Sequence, residues 1–163
     1  MGPRDVLPSG QRQTLDFFVV GFRHVSGPEV ARRELLYNAS VLAHYAQIST
    51  RADTGLPTPQ DLSDVFDLFV ADSSLRSDPG MMETAGTHCL LLAGFFEDQM
   101  RRRHNIRWYA QLGTGFFLCA AAGEPSQSRA GMLEAIGREF EPWRLRYARL
   151  SRWLREEQYV LRS

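Results

Sequence analysis

Two thiols and one imidazole are the side chains here best suited by type to hold a metal. His88 and Cys89 are neighbours. If two antiparallel helices meet near residues 104–105, positions adding to about 209 lie level, which sets Cys119 or Ala120 opposite Cys89. A zinc ion needs three or four such ligands at ~2.0–2.3 Å. His24, His44 and His104 stand apart, with neither His-x-x-x-His nor His-Glu-x-x-His spacing. The set falls short, so Cys89 and Cys119 read as inert free thiols, and no metal or cofactor is expected. Nucleophile signatures of the Gly-x-Ser-x-Gly kind are missing. Gly113-Thr114-Gly115 lacks the third glycine and the strand context of a dinucleotide fingerprint. Glu97 and Asp98 precede Arg101 and Arg102 by four residues, the favourable orientation for helical ion pairs. They read as a solvated helix end, with Arg101, Arg102 and Arg103 complementing the helix dipole, rather than as paired catalytic carboxylates. Nothing at residue level supports an enzyme.

Charge is the uneven feature. All nineteen basic residues are arginine, as a GC-rich genome would give, and nineteen acids balance them to a net charge of zero. Residues 1–100 hold 7 Arg and 13 acids, whereas residues 101–163 hold 12 Arg and 6 acids. Pro142 to Arg155 carries five Arg and no acid. At 100° per residue, Trp143, Tyr147, Leu150, Trp153 and Leu154 share one stripe, and Arg144, Arg149, Arg152 and Arg155 spread over the other side. With Arg101, Arg102, Arg103 and Arg107, these four form a candidate interaction surface. Three uses compete for it: neutralisation at home by the acidic 53–83 segment, docking of a protein, and binding of nucleic acid. Nucleic-acid binders usually carry an excess of positive charge over the domain, which this chain lacks.

The elements that would position these residues are helical. Of 163 residues, 44% are hydrophobic and 23% charged, ordinary globular values that exclude wholesale disorder. Residues 1–13 read as a flexible leader, and 14–163 as a single domain. A short helix is expected over Thr14–Val25. Ser26-Gly27-Pro28-Glu29 matches a capping box and predicts a helix to about Ile48. Thr58-Pro59-Gln60-Asp61 repeats the signature ahead of Leu62, Val65, Phe66, Phe69 and Val70. Met81 to about Arg103 reads as one long helix, followed by a helix capped by Asn105 and running to about Ala122. Two closing helices are expected over Gln127–Phe140 and Pro142–Glu157. The fold class is therefore all-α, a single-domain bundle of five or six helices around a central antiparallel hairpin at about 81–122. In that hairpin Gly94 is expected to face Gly115. The N-terminus shows no secretory h-region, and the longest apolar run, Cys89–Phe96, falls well short of the ~20 residues a membrane span needs. A cytoplasmic protein that does not enter the membrane is expected.

Thr14-Leu15-Asp16-Phe17-Phe18, Tyr37-Asn38 with Leu42-Ala43, the run Gly86 to Phe96, and Trp108-Tyr109 with Leu112-Gly113 together resemble a family of uncharacterised bacterial helical proteins. Its members share a GD-x-x-L-F-x-A-G-F-F…Y-Y-x-x-x-G block, and the resemblance covers about 14–120. Thr87 and His88 replace the usual Asp and small residue, and Trp108 replaces a Tyr. The resemblance implies a helical fold and brings no activity. The expectation is a small helical protein that acts through protein–protein contact, by self-association or with another partner. The alternative is a nucleic-acid-binding accessory or regulatory protein using the basic C-terminal helix.

Overall fold

The computed structural model describes residues 9–51, 78–101 and 106–162, with side chains defined over 12–47, 78–101 and 106–156. The described residues are helical, with no strand among them. The backbone divides into two compact units, Met1–Pro57 and Thr58–Ser163.

In the first unit, α1 (Ser9–Val25) packs on α2 (Arg32–Arg51). α1 begins at Ser9, ahead of the expected Thr14 cap, and the leader's first eight residues lie outside the described residues. The capping box at Ser26 does not form. The Ser26 amide instead donates to the Phe22 carbonyl at 2.9 Å, closing α1, and Pro28 and Glu29 lie in the connecting turn. α2 starts only where the Leu35 amide donates to the Ala31 carbonyl. Phe22, Leu42 and Ala39 are buried, and the buried Asn38 amide donates to the Glu34 carbonyl at 2.9 Å. The helix expected after Thr58 lies outside the described residues.

The second unit contains α3 (Pro79–Leu90), a π-helical turn (Leu91–Phe95), the short α4 (Glu97–Met100), α5 (Ile106–Gly123), α6 (Gln127–Arg138) and α7 (Phe140–Arg162). The described residues thus hold seven α-helices and the π turn, more pieces than five or six because the expected 81–103 helix is broken at Leu91 and again at Phe96. Asp78 caps α3 by accepting from the Gly80 amide at 2.9 Å, with Pro79 at the first helical position. Ser126 caps α6, accepting from the Arg129 amide at 3.3 Å. Arg129 then clamps Glu83 of α3 through two parallel hydrogen bonds of 2.7 and 2.8 Å and takes Glu124 at 2.9 Å. Ser126→Ala should cost about 1 kcal/mol, read as a lowered urea midpoint at an unchanged denaturant slope. Trp143 and Tyr147 of α7 are buried with Tyr109, Phe117, Phe140, Leu133, Leu90 and Leu92 in the core.

The helix register differs from expectation. A Cβ on Gly86 would meet the Phe117 ring at 2.9 Å, one on Gly113 would lie 2.9 Å from Cys89 Cβ, and one on Gly123 would strike Pro79. These α3–α5 pairs have residue numbers adding to about 202, not 209, so Cys89 sits against Gly113 rather than Cys119. Gly94 and Gly115 do not face each other. Gly94 lies against α7, where a Cβ would come within 2.7 Å of Tyr147 Cβ and 2.9 Å of the Arg144 carbonyl oxygen. Gly115 has open space beside it.

Candidate functional site

The basic residues singled out by the sequence do not form one free surface. α7 lies along the π turn, and the Phe96 amide donates to the Leu91 carbonyl at 2.8 Å, the five-residue spacing of a π turn. Past this turn Glu97 enters the protein interior, its side chain only 8% exposed. One of its carboxylate oxygens accepts from Arg144 at 2.7 Å, and the other from Arg152 at 2.8 Å and Arg101 at 2.5 Å. Arg144 also donates to the Ala93 carbonyl at 3.1 Å and to Glu141. Asp98 accepts from Arg155 and, at 3.4 Å, from Arg152. The hydrogen bond from Arg155, followed by that from Arg152, holds the Asp98 carboxyl below its ordinary value. Arg144 does the same for Glu141.

Arg144, Arg152 and Arg155 of the basic helix are thus paired within the fold, by Glu97, Asp98 and Glu141, while residues 53–77 of the acidic segment expected to meet that helix lie outside the described residues. The expected solvated pair at 97–98 is corrected, because Glu97 is buried among three guanidinium groups. Arg107 and Arg149 are exposed, and Arg102 and Arg103 lie outside the described residues. Arg146, unremarked in the sequence, stacks over the Trp143 ring at 4.7 Å, and burial lowers its pKa.

The candidate metal ligands are not gathered. Cys89 is buried beside Gly113 and burial pushes its thiol pKa up, whereas Cys119 is exposed. Burial likewise lowers the pKa of His88 and favours its neutral form. Among the described residues, no group of three or more His, Cys, Asp or Glu is placed to hold a metal ion. No helix among them is long and apolar enough to cross a membrane.

What the sequence did not single out is the outer side of α5. This helix, IRWYAQLGTGFFLCAAAG, has one charged residue, Arg107. Its inward face is Tyr109, Gly113, Phe116, Phe117 and Ala120. Its outward face is Trp108, Gln111, Gly115, Leu118, Cys119 and Ala122, all exposed and all within one arc of the helix. Trp108 is 38% exposed and Leu118 37%. Beside this face runs a groove of about 540 Å³ between α5 and α6, lined by Ala121, Ala122, Gln127, Ala130 and Gly131 among others. Leu118 also lines it, its side chain lying against Gly137 of α6, as do Glu134 and Arg138, which pair at 2.7 Å. A second groove of about 530 Å³, lined by Arg107, Gln111, Thr114 and Arg144 among others, opens at the start of α5. Its Arg144 is already held by Glu97 and Glu141.

The charge pattern of α5 was readable beforehand. An 18-residue helix with a single charge is unusual if any side of it faces water. The signal was missed because Gly115 was assigned to the inward face. Comparison of the chain with protein-family models, with curated proteins and with solved structures finds no match.

Proposed function

We propose that this protein works by binding another protein through the outer face of α5 and the groove between α5 and α6. The observation that carries the reading is the uncharged, exposed stripe Trp108, Gln111, Gly115, Leu118, Cys119 and Ala122 on a helix whose other side is already packed. Exposed apolar stripes beside a groove, rimmed by charge, are what docking sites offer. Gly115 adds to this. Glycine in a helix costs about 1 kcal/mol relative to alanine, and nothing lies within 4 Å of the position to require it. A partner backbone approaching closely there would use the missing side chain.

The same arginines that favoured nucleic acid as the alternative now weigh against it. Arg144, Arg152, Arg155 and Arg101 are each engaged by a carboxylate within the fold. A phosphate backbone would have to displace those pairs.

A photo-crosslinking residue placed at Leu118 tests the reading, with the same residue at Arg149 as control. Illumination in intact cells should give a protein adduct of discrete mass from position 118 and none from 149. Retention of DNA or RNA should be weak throughout. The opposite pattern decides for the alternative: nucleic-acid retention that falls by about 100-fold between about 50 and 200 mM salt and is lost in Arg107→Glu with Arg149→Glu.

A further inference from the structure

We infer that the occupant of this face is an α-helix of a partner protein, apolar along one side and acidic at one end. The inference rests on the docking reading above and names the chemistry of the partner. The groove at the start of α5 and the α5–α6 groove follow one another along a single flank of α5. Arg107, Gln111 and Thr114 line the former, Leu118, Ala121 and Ala122 the latter, and at 100° per residue all six fall within one arc of the helix. The opposite wall passes from α6 to the start of α7, where Glu141 and Arg144 line the groove at the start of α5. From Arg107 to Ala122 this flank extends about 22 Å at a rise of ~1.5 Å per residue.

Two observations specify the occupant. The first is what a peptide backbone would find there. Ala121, Ala122, Ala130 and Gly131 carry no side-chain donor or acceptor, and among the described residues there is no strand to whose edge an extended segment could add. An extended chain would lay its amides and carbonyls unpaired on this apolar wall, whereas a helix satisfies its own. The second is charge. Glu141 and Arg144 pair with each other in the groove at the start of α5, and Glu134 and Arg138 do likewise in the α5–α6 groove. Arg107 is left as the one lining charge without an ion-pair partner among the described residues, and it is exposed. The flank therefore ends in a single unbalanced positive charge on one side and in alanines on the other. A helix that matches it carries apolar side chains over Ala121 and Ala122 and a carboxylate over Arg107, and a basic end would be repelled there.

The probe is a displayed library of helix-forming peptides of about 16 residues, the length that covers both grooves, varied along one face. Selection on the purified full-length chain should converge on apolar residues at helical spacing and on glutamate or aspartate at one end. A selected peptide should bind Arg107→Glu about tenfold more weakly, and replacing its acidic end by lysine should restore the affinity for that variant. Ala122→Arg, at the apolar end, should weaken both peptides by about tenfold, because it sets a charge against their apolar side chains. Both positions are exposed, and an unchanged helical circular dichroism spectrum verifies that the variants fold.

Three outcomes overturn the inference: a selection that enriches no helical sequence, enriched sequences without an acidic end, or an acidic peptide that binds Arg107→Glu as it binds the wild type. An adduct from position 118 at twice the monomer mass also overturns it, in favour of a second copy of this chain. A failed selection with a position 118 that still crosslinks to a protein in cells would remove the acidic helix and leave the docking face standing.

Discussion

Glu97→Ala should lower the stability of this protein by about 3 kcal/mol, among the largest effects of any substitution at a polar side chain here. The reason is that the loss falls on what stays behind. Arg144, only 12% exposed, would lose its one buried carboxylate partner and keep the more exposed Glu141 and the Ala93 carbonyl, so the loss falls at or below the bottom of the ~3–5 kcal/mol that breaking a buried ion pair from one side costs. Arg152 and Arg101 are better solvated and add little, since exposed pairs are worth well under 1 kcal/mol each. The lower end of the range is therefore expected. Glu97→Gln keeps an acceptor and should cost less. Replacing both partners, Glu97→Met with Arg144→Met, should recover much of the loss, because the desolvation of two charges is removed together. Urea titration of the four proteins is the measurement, and an unchanged midpoint in Glu97→Ala would refute the account.

Acid adds an independent check on the same cluster. The Asp98 and Glu141 carboxyls are held below their ordinary values by arginine. Groups of this kind contribute stability that is present above the ordinary carboxylate range and is lost as pH falls through the lowered values. Asp98→Asn should accordingly flatten the acid limb of the stability curve while leaving the alkaline limb in place.

How far the sequence reached can be seen at particular residues. The start of α6 was legible because Ser126 caps it locally, and the inward stripe of α7 because Trp143, Tyr147 and Leu150 recur at helical spacing. Both signals need only the next few residues. The register of α3 against α5 was not legible. The run Cys89–Phe96 is apolar throughout, so no polar residue marks where the helix changes to a π turn. That turn and the break at Phe96 move the midpoint of the pairing to an earlier residue, and every pairing counted from 104–105 then slips by several residues. The arginine partners escaped for a related reason. Their spacing to Arg101 and Arg102 read Glu97 and Asp98 as a solvated helix end, whereas the π turn carries both to α7. The outer face of α5 followed the register: with Gly115 expected opposite Gly94, and Cys119 or Ala120 opposite Cys89, the exposed side of the helix was not picked out.

The corrected register predicts opposite outcomes at two glycines only two residues apart on α5. Gly113→Ala should destabilise the protein by about 1–3 kcal/mol. Its new methyl group would collide with the edge of the Phe140 ring and lie 2.9 Å from Cys89 Cβ. Both neighbours are buried, Phe140 at 2% exposure and Cys89 at 0%, so neither has room to withdraw. Gly115→Ala should instead stabilise the chain by up to about 1 kcal/mol, because the position is helical, exposed and has nothing within 4 Å. The two substitutions make the same chemical change in the same helix, so helix propensity favours both equally and only the surroundings separate them. Denaturation at low protein concentration, where copies are apart, reads the two effects without any contribution from association. Were Gly115→Ala the damaging change and Gly113→Ala the benign one, α5 would face its neighbours with the other side, and the docking face proposed on Trp108, Gly115 and Leu118 would be part of the core.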